Sequence, residues 1–288
     1  MAKLWEKNYR LDALLEAFTV GDDWQIDARL VGADCAASVA HAAMLQAIGL
    51  LTHSELEGLR RELLAIADDA SKGAFSIAPS DEDCHTAIEN RLVAALGDAG
   101  KKIHTGRSRN DQVLVALRLW IRDYLLAFEE ACLALADRLL DFAGRHADVP
   151  MPGRTHLQPA MPSSVGLWAA AHAEELIDDL VVADAAFHLA DACPLGSAAS
   201  YGVPLPLDRE MTSDLLGFAR VQNNVLYANN SRGRVEGVAL AAVEQVCLTL
   251  ARMAEDLILY AMPEFGWFTL PKELCSGSSI MPQKRNPD

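Results

Sequence analysis

Between Asp111 and Arg145 the apolar residues fall three and four apart, at Val113, Leu117, Trp120, Tyr124, Phe128, Ala131, Leu135 and Leu139. This is the period of one helix face, and neither Pro nor Gly interrupts it before Gly144. The pattern predicts a helix of about 34 residues, extending about 50 Å at the usual rise per residue. Leu114, Ile121, Leu125 and Cys132 widen its apolar face beyond a single stripe, so several neighbours are expected to cover it. Two more long helices are predicted: 163–191, opened by Pro162 and closed before Pro194, and 233–262, stopped by Pro263. Shorter helical patterns cover about 26–48, 54–70 and 81–96, and strand-like alternation is scarce. The expected fold class is all-α, with a smaller helical N-terminal domain (1–107) and an incomplete long-helix bundle (108–288).

Composition narrows the function. Half of the 288 residues are apolar, which supports a sizeable core, and the formal net charge is −15 with a pI near 4.9. That balance argues against a partner that is a nucleic acid or an anionic membrane. An acidic enzyme acting on an anion would need a local cluster of cations. Six cysteines are scattered without a CxxC pair, so neither metal-ligand spacing nor a disulfide framework is expected. The N-terminus lacks the apolar run of a secretory signal, and the longest uncharged stretch, 155–173, contains two prolines and two histidines. A soluble, cytoplasmic protein is the expectation.

Candidate chemistry sits in the segments between the long helices. In "KKIHTGRSRNDQ" (101–112), Lys101, Lys102, Arg107 and Arg109 lie together just before the long helix begins. A helix N-terminus favours an anion, and Ser108, Asn110 and Asp111 are good N-cap residues. A capped helix with a solvated basic turn and a carboxylate-binding loop built from Arg107, Arg109 and Asn110 are both consistent with this spacing. In "MPGRTHLQPAMP" (151–162), three prolines and a glycine predict a rigid loop presenting Thr155, His156 and Gln158. The terminal "GSSIMPQKRNPD" predicts a flexible turn at Gly277–Ser279 with Lys284 close behind. It reads either as an ordinary polar loop or as a serine whose alkoxide is stabilised by backbone N–H groups and a cation.

Together, "GSSIMPQKRNP", "HTGRSRNDQ", "EDCHTAIENRL", "PGRTHLQPAMP" and "CPLGSAASYGVPLPLDRE" resemble the argininosuccinate lyase branch of the fumarase/aspartase superfamily. The first is shared across that superfamily and the second is the narrower match. The resemblance implies a cofactor-free, metal-free elimination of argininosuccinate to arginine and fumarate in arginine biosynthesis. It implies Ser278 as general base, Lys284 as cationic stabiliser, and Asn286 as a ligand of the succinyl group. Thr155 and His156 resemble the pair that assists binding and protonates the leaving nitrogen. Ser108, Arg109 and Asn110 resemble substrate ligands, with Arg107, Gln158 and Asp27 carried beside them. The N-terminal "LWEKNYRLD" and the 223–237 segment depart from the family's usual wording.

The resemblance further implies a homotetramer whose active sites are shared between subunits. Family subunits continue past the terminal signature, so a C-terminally truncated chain is expected, one that is helical, self-associates through uncovered apolar faces and has no lyase activity alone. Two other readings stay open: a sister lyase acting on adenylosuccinate, aspartate or fumarate, and a non-catalytic structural relative.

Overall fold

A computed structural model describes residues 12–288. Its helices are α1 (Ala13–Val20), α2 (Asp23–Ile26), α3 (Val31–Ala47), α4 (His53–Ser71), α5 (Cys84–Leu96), α6 (Asp98–Lys101) and α7 (Arg109–Arg145). The strands β1 (Pro150–Thr155) and β2 (Gln158–Ser164) follow, then α8 (Val165–Ala190), α9 (Arg209–Leu215), α10 (Val225–Asn230) and α11 (Arg234–Ala261). A two-residue pair, β3 (Ser276–Gly277) and β4 (Arg285–Asn286), comes last. The all-α expectation holds. The three long predicted helices are α7, α8 and α11, each ending within about two residues of its sequence signals.

Two compact units divide the chain. Among the described residues the first comprises 12–126 and 186–237. Its core forms where α3, α4 and α5 bury Leu45, Leu59, Leu63, Ile66, Ile88 and Leu92 almost completely. Leu59, Leu63 and Ile66 follow at steps of four and three, so one face of α4 supplies the core while the opposite face stays polar. Each such side chain contributes about 1.5–3 kcal/mol on burial. The helix starts are sealed locally. Thr52 accepts from the Glu55 N–H, and Glu55 accepts from the Thr52 N–H at 2.8 Å, a complete capping box for α4. Asp83 caps α5 through the Thr86 N–H at 2.8 Å. The helix predicted from residue 26 begins at Val31, preceded by short helical turns from Asp23 to Arg29.

The second unit comprises residues 127–185 and 238–288. Within it α7, α8 and α11 pack through Cys132, Ala136, Ala173, Leu176 and Val246. Small residues let the backbones approach. A Cβ on Gly166 would lie 2.7 Å from both the Ala143 carbonyl oxygen and the Ala147 Cα. Trp168 Nε1 donates to Asp256 Oδ2 (2.9 Å) and Thr249 Oγ1 to Asp179 Oδ2 (2.7 Å), adding polar ties from α8 to α11. By length and composition α11 could cross a bilayer, yet it carries Glu236, Glu244, Arg252, Glu255 and Asp256 along its length.

The segment read as a rigid loop at 151–162 is instead a β-hairpin. Pro150 pairs with Ser164 and Thr155 with Gln158, with an irregularity at Gly153/Arg154. Proline cannot donate to a ladder, so Pro150, Pro152, Pro159 and Pro162 hide the strand signal, while a two-stranded ribbon tolerates them at non-donating positions. The terminal turn is likewise more ordered than expected, with Ser276 paired to Asn286 and Gly277 to Arg285.

Gly166→Ala should destabilise the chain by about 1–3 kcal/mol, because the new methyl meets backbone that cannot rotate away. Urea unfolding followed by circular dichroism measures this. A midpoint equal to that of the unsubstituted chain would show that α7 and α8 do not approach as closely as described.

Candidate active site

Asp111 fixes the first candidate loop. It is fully buried; its Oδ1 accepts from the Ser108 N–H (2.9 Å), and its Oδ2 accepts from the N–H groups of Gly196 (3.1 Å) and Ala198 (2.8 Å). Ser108 stands before the first turn of α7 with its Oγ accepting from the Asn110 N–H (3.3 Å). The helix-start role of Ser108 and Asp111 is therefore met. Burial raises the Asp111 carboxyl above its usual range, and its three backbone donors and Arg107 only partly offset that.

The cations of this loop are each engaged. Arg107 is buried and donates to Ser38 Oγ (2.8 Å). Arg109 donates to Thr86 Oγ1 (2.6 Å) and lies 3.2 Å from Asp83 Oδ2 and 3.5 Å from Glu82 Oε2. Lys101 pairs with Asp98 and Lys102 with Glu55. The basic cluster of the sequence is thus largely neutralised: acids distant in sequence fold onto Lys102 and Arg109, Lys101 takes the neighbouring Asp98, and Arg107 donates to a hydroxyl. His41, next to Arg107, is pushed down to about 3 by burial and by that guanidinium, and its Nε2 lies 2.8 Å from the Thr105 carbonyl.

Asp27 belongs to the same neighbourhood. Its Oδ2 accepts from the Cys84 N–H at 3.3 Å, at the start of the helix whose first turn holds Arg109. Burial raises its carboxyl, with the Cys84 N–H acting against the shift. Beneath lies a buried ion pair, His85 Nδ1 to Asp34 Oδ2 at 3.2 Å. Asp27, Cys84 and His85 also bring a carboxylate, a thiol and an imidazole within 4.8 Å of one another, a grouping able to hold a cation. Burial and the nearby acids push the Cys84 thiol far above its usual range, which disfavours the thiolate a metal needs.

The hairpin places the second group. His156 and Leu157 occupy its two-residue turn with φ of 50° and 61°, positive at both central positions as a type I′ turn requires. Asn-Gly usually fills such turns; two larger residues there cost about 1–3 kcal/mol each. Arg154 holds the turn by donating to the Leu157 carbonyl (2.7 Å), its guanidinium lying over the rings of Phe265 and Trp267. Thr155, His156 and Gln158 are all exposed on this braced tip.

Ser278 follows β3, and its Oγ accepts from the N–H groups of Met281 (3.2 Å) and Ile280 (3.4 Å). Asn286, in β4, donates to Ser276 Oγ (3.3 Å), and the Lys284 N–H closes the turn onto the Met281 carbonyl (2.9 Å). The Lys284 side chain is exposed. Ser278, Lys284, Asn286, Thr155, His156 and Gln158 therefore share the second unit, whereas Asp27, Arg107, Ser108, Arg109 and Asn110 share the first.

Sequence reasoning passed over Arg232, whose Nη2 donates to both the main-chain and the side-chain oxygen of Asn110 at 3.2 Å. It also passed over Glu82, Asp83 and Thr86 as the clamp on Arg109, although "EDCHTAIENRL" was in view as a motif. The signal available in the sequence was the acidic pair Glu82–Asp83 directly before a helix start, where Asp is a favoured cap.

Comparison with known proteins gives a consistent picture. Residues 6–288 match the lyase family. The chain is 48% identical over 286 residues to the argininosuccinate lyase of Thermotoga neapolitana, covering 99% of this chain and 72% of that one. It is 51% identical to the argininosuccinate lyase of Sorangium cellulosum, covering 66% of it, and 50% identical to that of Stenotrophomonas maltophilia, again covering 66%. The chain thus spans about two thirds of the length of these relatives. Among solved structures, an EDDS lyase variant with bound fumarate superposes with a TM-score of 0.82 at 26% identity, covering 98% of this chain and 55% of that one. A fumarate lyase (delta crystallin) from Brucella melitensis, at a TM-score of 0.78 and 22% identity, shares the fold.

The Asp34–His85 pair makes a pH-dependent prediction. Burial alone would raise Asp34, but His85 overrides it and holds the carboxyl below 3.8. Burial alone would lower His85, but Asp34 overrides it and holds the imidazole above 6.5. Asp34 thus stabilises the fold above its unfolded value and loses this as pH falls through its depressed folded value. His85 stabilises it below 6.5 and loses this as pH rises through its raised folded value. Asp34→Asn should therefore cost most, about 3–5 kcal/mol, near pH 5. The deficit should be smaller at about pH 9, since it shrinks as pH rises through the raised folded value of His85. Denaturant titrations giving equal deficits at the two pH values would refute the charged pair.

Proposed function

We propose, on the premise that the chain belongs to the argininosuccinate lyase family, that the protein cleaves argininosuccinate to arginine and fumarate by β-elimination without a cofactor. The observation that carries this is the environment of Ser278, whose Oγ accepts two backbone N–H groups within a short hairpin turn. Elimination removes a proton from the carbon beside a carboxylate, and the electron pair builds negative charge on that carboxylate before the carbon–nitrogen bond breaks. The base must therefore be an alkoxide stabilised without solvent, and fixed N–H donors do this at no reorganisation cost. A donor of this kind is worth about 3 kcal/mol where charge develops.

In this reading Ser278 takes the proton, Lys284 stabilises the charged carboxylate and Asn286 binds the succinyl group. His156 protonates the departing nitrogen of the guanidinium, with Thr155 and Gln158 beside it. The rigid, strained turn around His156 suits this task, since a proton donor must be held rather than found. Ser108, Arg109 and Asn110 bind the substrate's carboxylates, aided by Arg107 from beneath and by Arg232 through Asn110. Asp27 suits the cationic guanidinium end.

The same reading takes the protein to be soluble, cytoplasmic and homotetrameric, serving arginine biosynthesis, with active sites assembled from several subunits. Support comes from apolar side chains left open on the long helices of the second unit. Leu133 and Leu140 recur at seven residues on α7, Ile177 and Val181 lie one turn apart on α8, and Leu240 and Leu248 stand on α11. All six are more than two-fifths exposed, and such stripes call for helices of further copies.

Two outcomes are expected. A subunit completed to the length of its relatives should release fumarate, read by its ultraviolet absorbance. It should favour argininosuccinate over adenylosuccinate or aspartate, and Ser278→Ala should lower kcat by about 10²–10⁴-fold with little change in substrate binding. A loss of only a few-fold would remove Ser278 from the role of base. Sedimentation should place that subunit, and the 288-residue chain itself, in species larger than a monomer. A clean monomer would contradict the reading of the open stripes.

A further inference from the structure

The first unit contains a cavity of about 350 Å³ that none of the residues assigned to the elimination lines. Three arginines face it: Arg118 from α7, Arg220 from the segment before α10, and Arg234, the first residue of α11. In a chain of net charge −15, three guanidinium groups on one cavity is a concentrated exception. No carboxylate among the described residues makes an ion pair with any of them. Their partners are neutral: Arg118 donates to the Ala192 carbonyl and to Ser231 Oγ (2.8 Å), Arg220 to the His188 carbonyl (3.3 Å), and Arg234 to the Tyr227 hydroxyl (3.5 Å). Glu236, which acts on Arg118 through space, lies outside the lining.

Arg118 is only 3% exposed and has no carboxylate within ion-pair distance, so its charge is removed from water with Glu236 only as a more distant counter-charge, an arrangement that an anion in the cavity would complete. Burial lowers its affinity for its proton, Cys193, Glu236 and Tyr227 act against this, and the nearby Arg220 adds to it. A second feature points the same way. Gln222, more than nine-tenths buried in the wall, has an amide oxygen without a hydrogen-bond partner. The two ends of a carboxamide exchange by a half-turn, so this side chain can offer NH₂ donors in the wall in place of the unpaired oxygen. The wall is preformed, because Arg209 anchors residues 222 and 223 by donating to their carbonyl oxygens (2.8 and 3.1 Å). The 28-residue helix α11 begins at the cavity, and helix N-termini favour negative charge.

We infer that this cavity is a binding site for a small oxyanion bearing two or more negative charges, held by Arg118, Arg220 and Arg234. Its chemistry is shared by phosphates and by di- or tricarboxylates, and planar guanidinium forks suit either. The bound anion would fix the start of α11 against the end of α8, stiffening the 223–234 segment that carries Arg232 to Asn110.

The test is isothermal titration of the chain with inorganic phosphate and, separately, with citrate, at ionic strength held constant with chloride. Saturable binding with a Kd of about 1 mM or tighter is expected for at least one of them. Arg220→Gln/Arg234→Gln should weaken it about tenfold or more. Arg220→Lys/Arg234→Lys, which keeps the charge, should recover part of it. Preference for phosphate or for citrate identifies the ligand class. The absence of saturable binding of either probe to the unsubstituted, folded chain would overturn the inference. So would equal affinity in the glutamine variant, with its helicity intact by circular dichroism. If the glutamine variant fails to fold, loss of protection of the α11 amides from hydrogen exchange on removing phosphate from the unsubstituted chain serves instead. Unchanged protection would count against the site.

Discussion

Much of the first unit hangs on one carboxylate. Asp111 is wholly buried, yet three backbone N–H groups converge on it, one from the loop before α7 and two from the turn at 196–198. A buried carboxylate is costly unless it is fully hydrogen-bonded, and here the donors come from two segments 85 or more residues apart in sequence. That need ties the strained turn at Ala198 and Ser200, both at positive φ, to the first turn of the longest helix. It sets the position of Ser108 and Asn110, and with them the loop that carries Arg107 and Arg109. Remove the carboxylate, and the three donors are left without this acceptor while the loop loses its ties to the Gly196 and Ala198 amides.

Where strain is stored is also instructive. Glu82, His156 and Leu157 adopt left-handed backbone conformations without being glycine. Glu82 faces Arg109 at a helix start, and the other two present an acid/base candidate at a hairpin tip. Neighbours brace both places: Arg109, itself held by Asp83 and Thr86, lies against Glu82, and Arg154 donates to the Leu157 carbonyl of the turn. The residues bearing the chemistry are thus kept in place by contacts a few residues away, which is what a proton donor needs if it is to meet a leaving group without searching.

The long helices were legible because they announce themselves twice, by apolar period and by proline or glycine at their ends. The motif loops were legible by their composition and their resemblance to a family. Three things were not. The β1–β2 hairpin was hidden by its four prolines, which remove the alternation by which strands are recognised. The basic cluster at 101–109 reads as open charge, since Glu55, Glu82 and Asp83, which neutralise much of it, lie 26–47 residues in sequence from the cations they pair with, and only tertiary folding brings them in. The same holds for Arg232, whose place beside Asn110 depends on a chain crossing of 122 residues. Local patterns report local structure, and long-range charge pairing leaves no mark on them.

Under the proposed assembly of active sites from several subunits, the serine turn of one copy and the histidine turn of another serve one elimination site. The most direct measurement mixes two inactive full-length variants, Ser278→Ala and His156→Asn, after dissociation and reassembly into hybrid oligomers. Fumarate release should return in the hybrids, because some sites then combine an intact Ser278 from one copy with an intact His156 from another. Hybrids that assemble yet release no fumarate would contradict it.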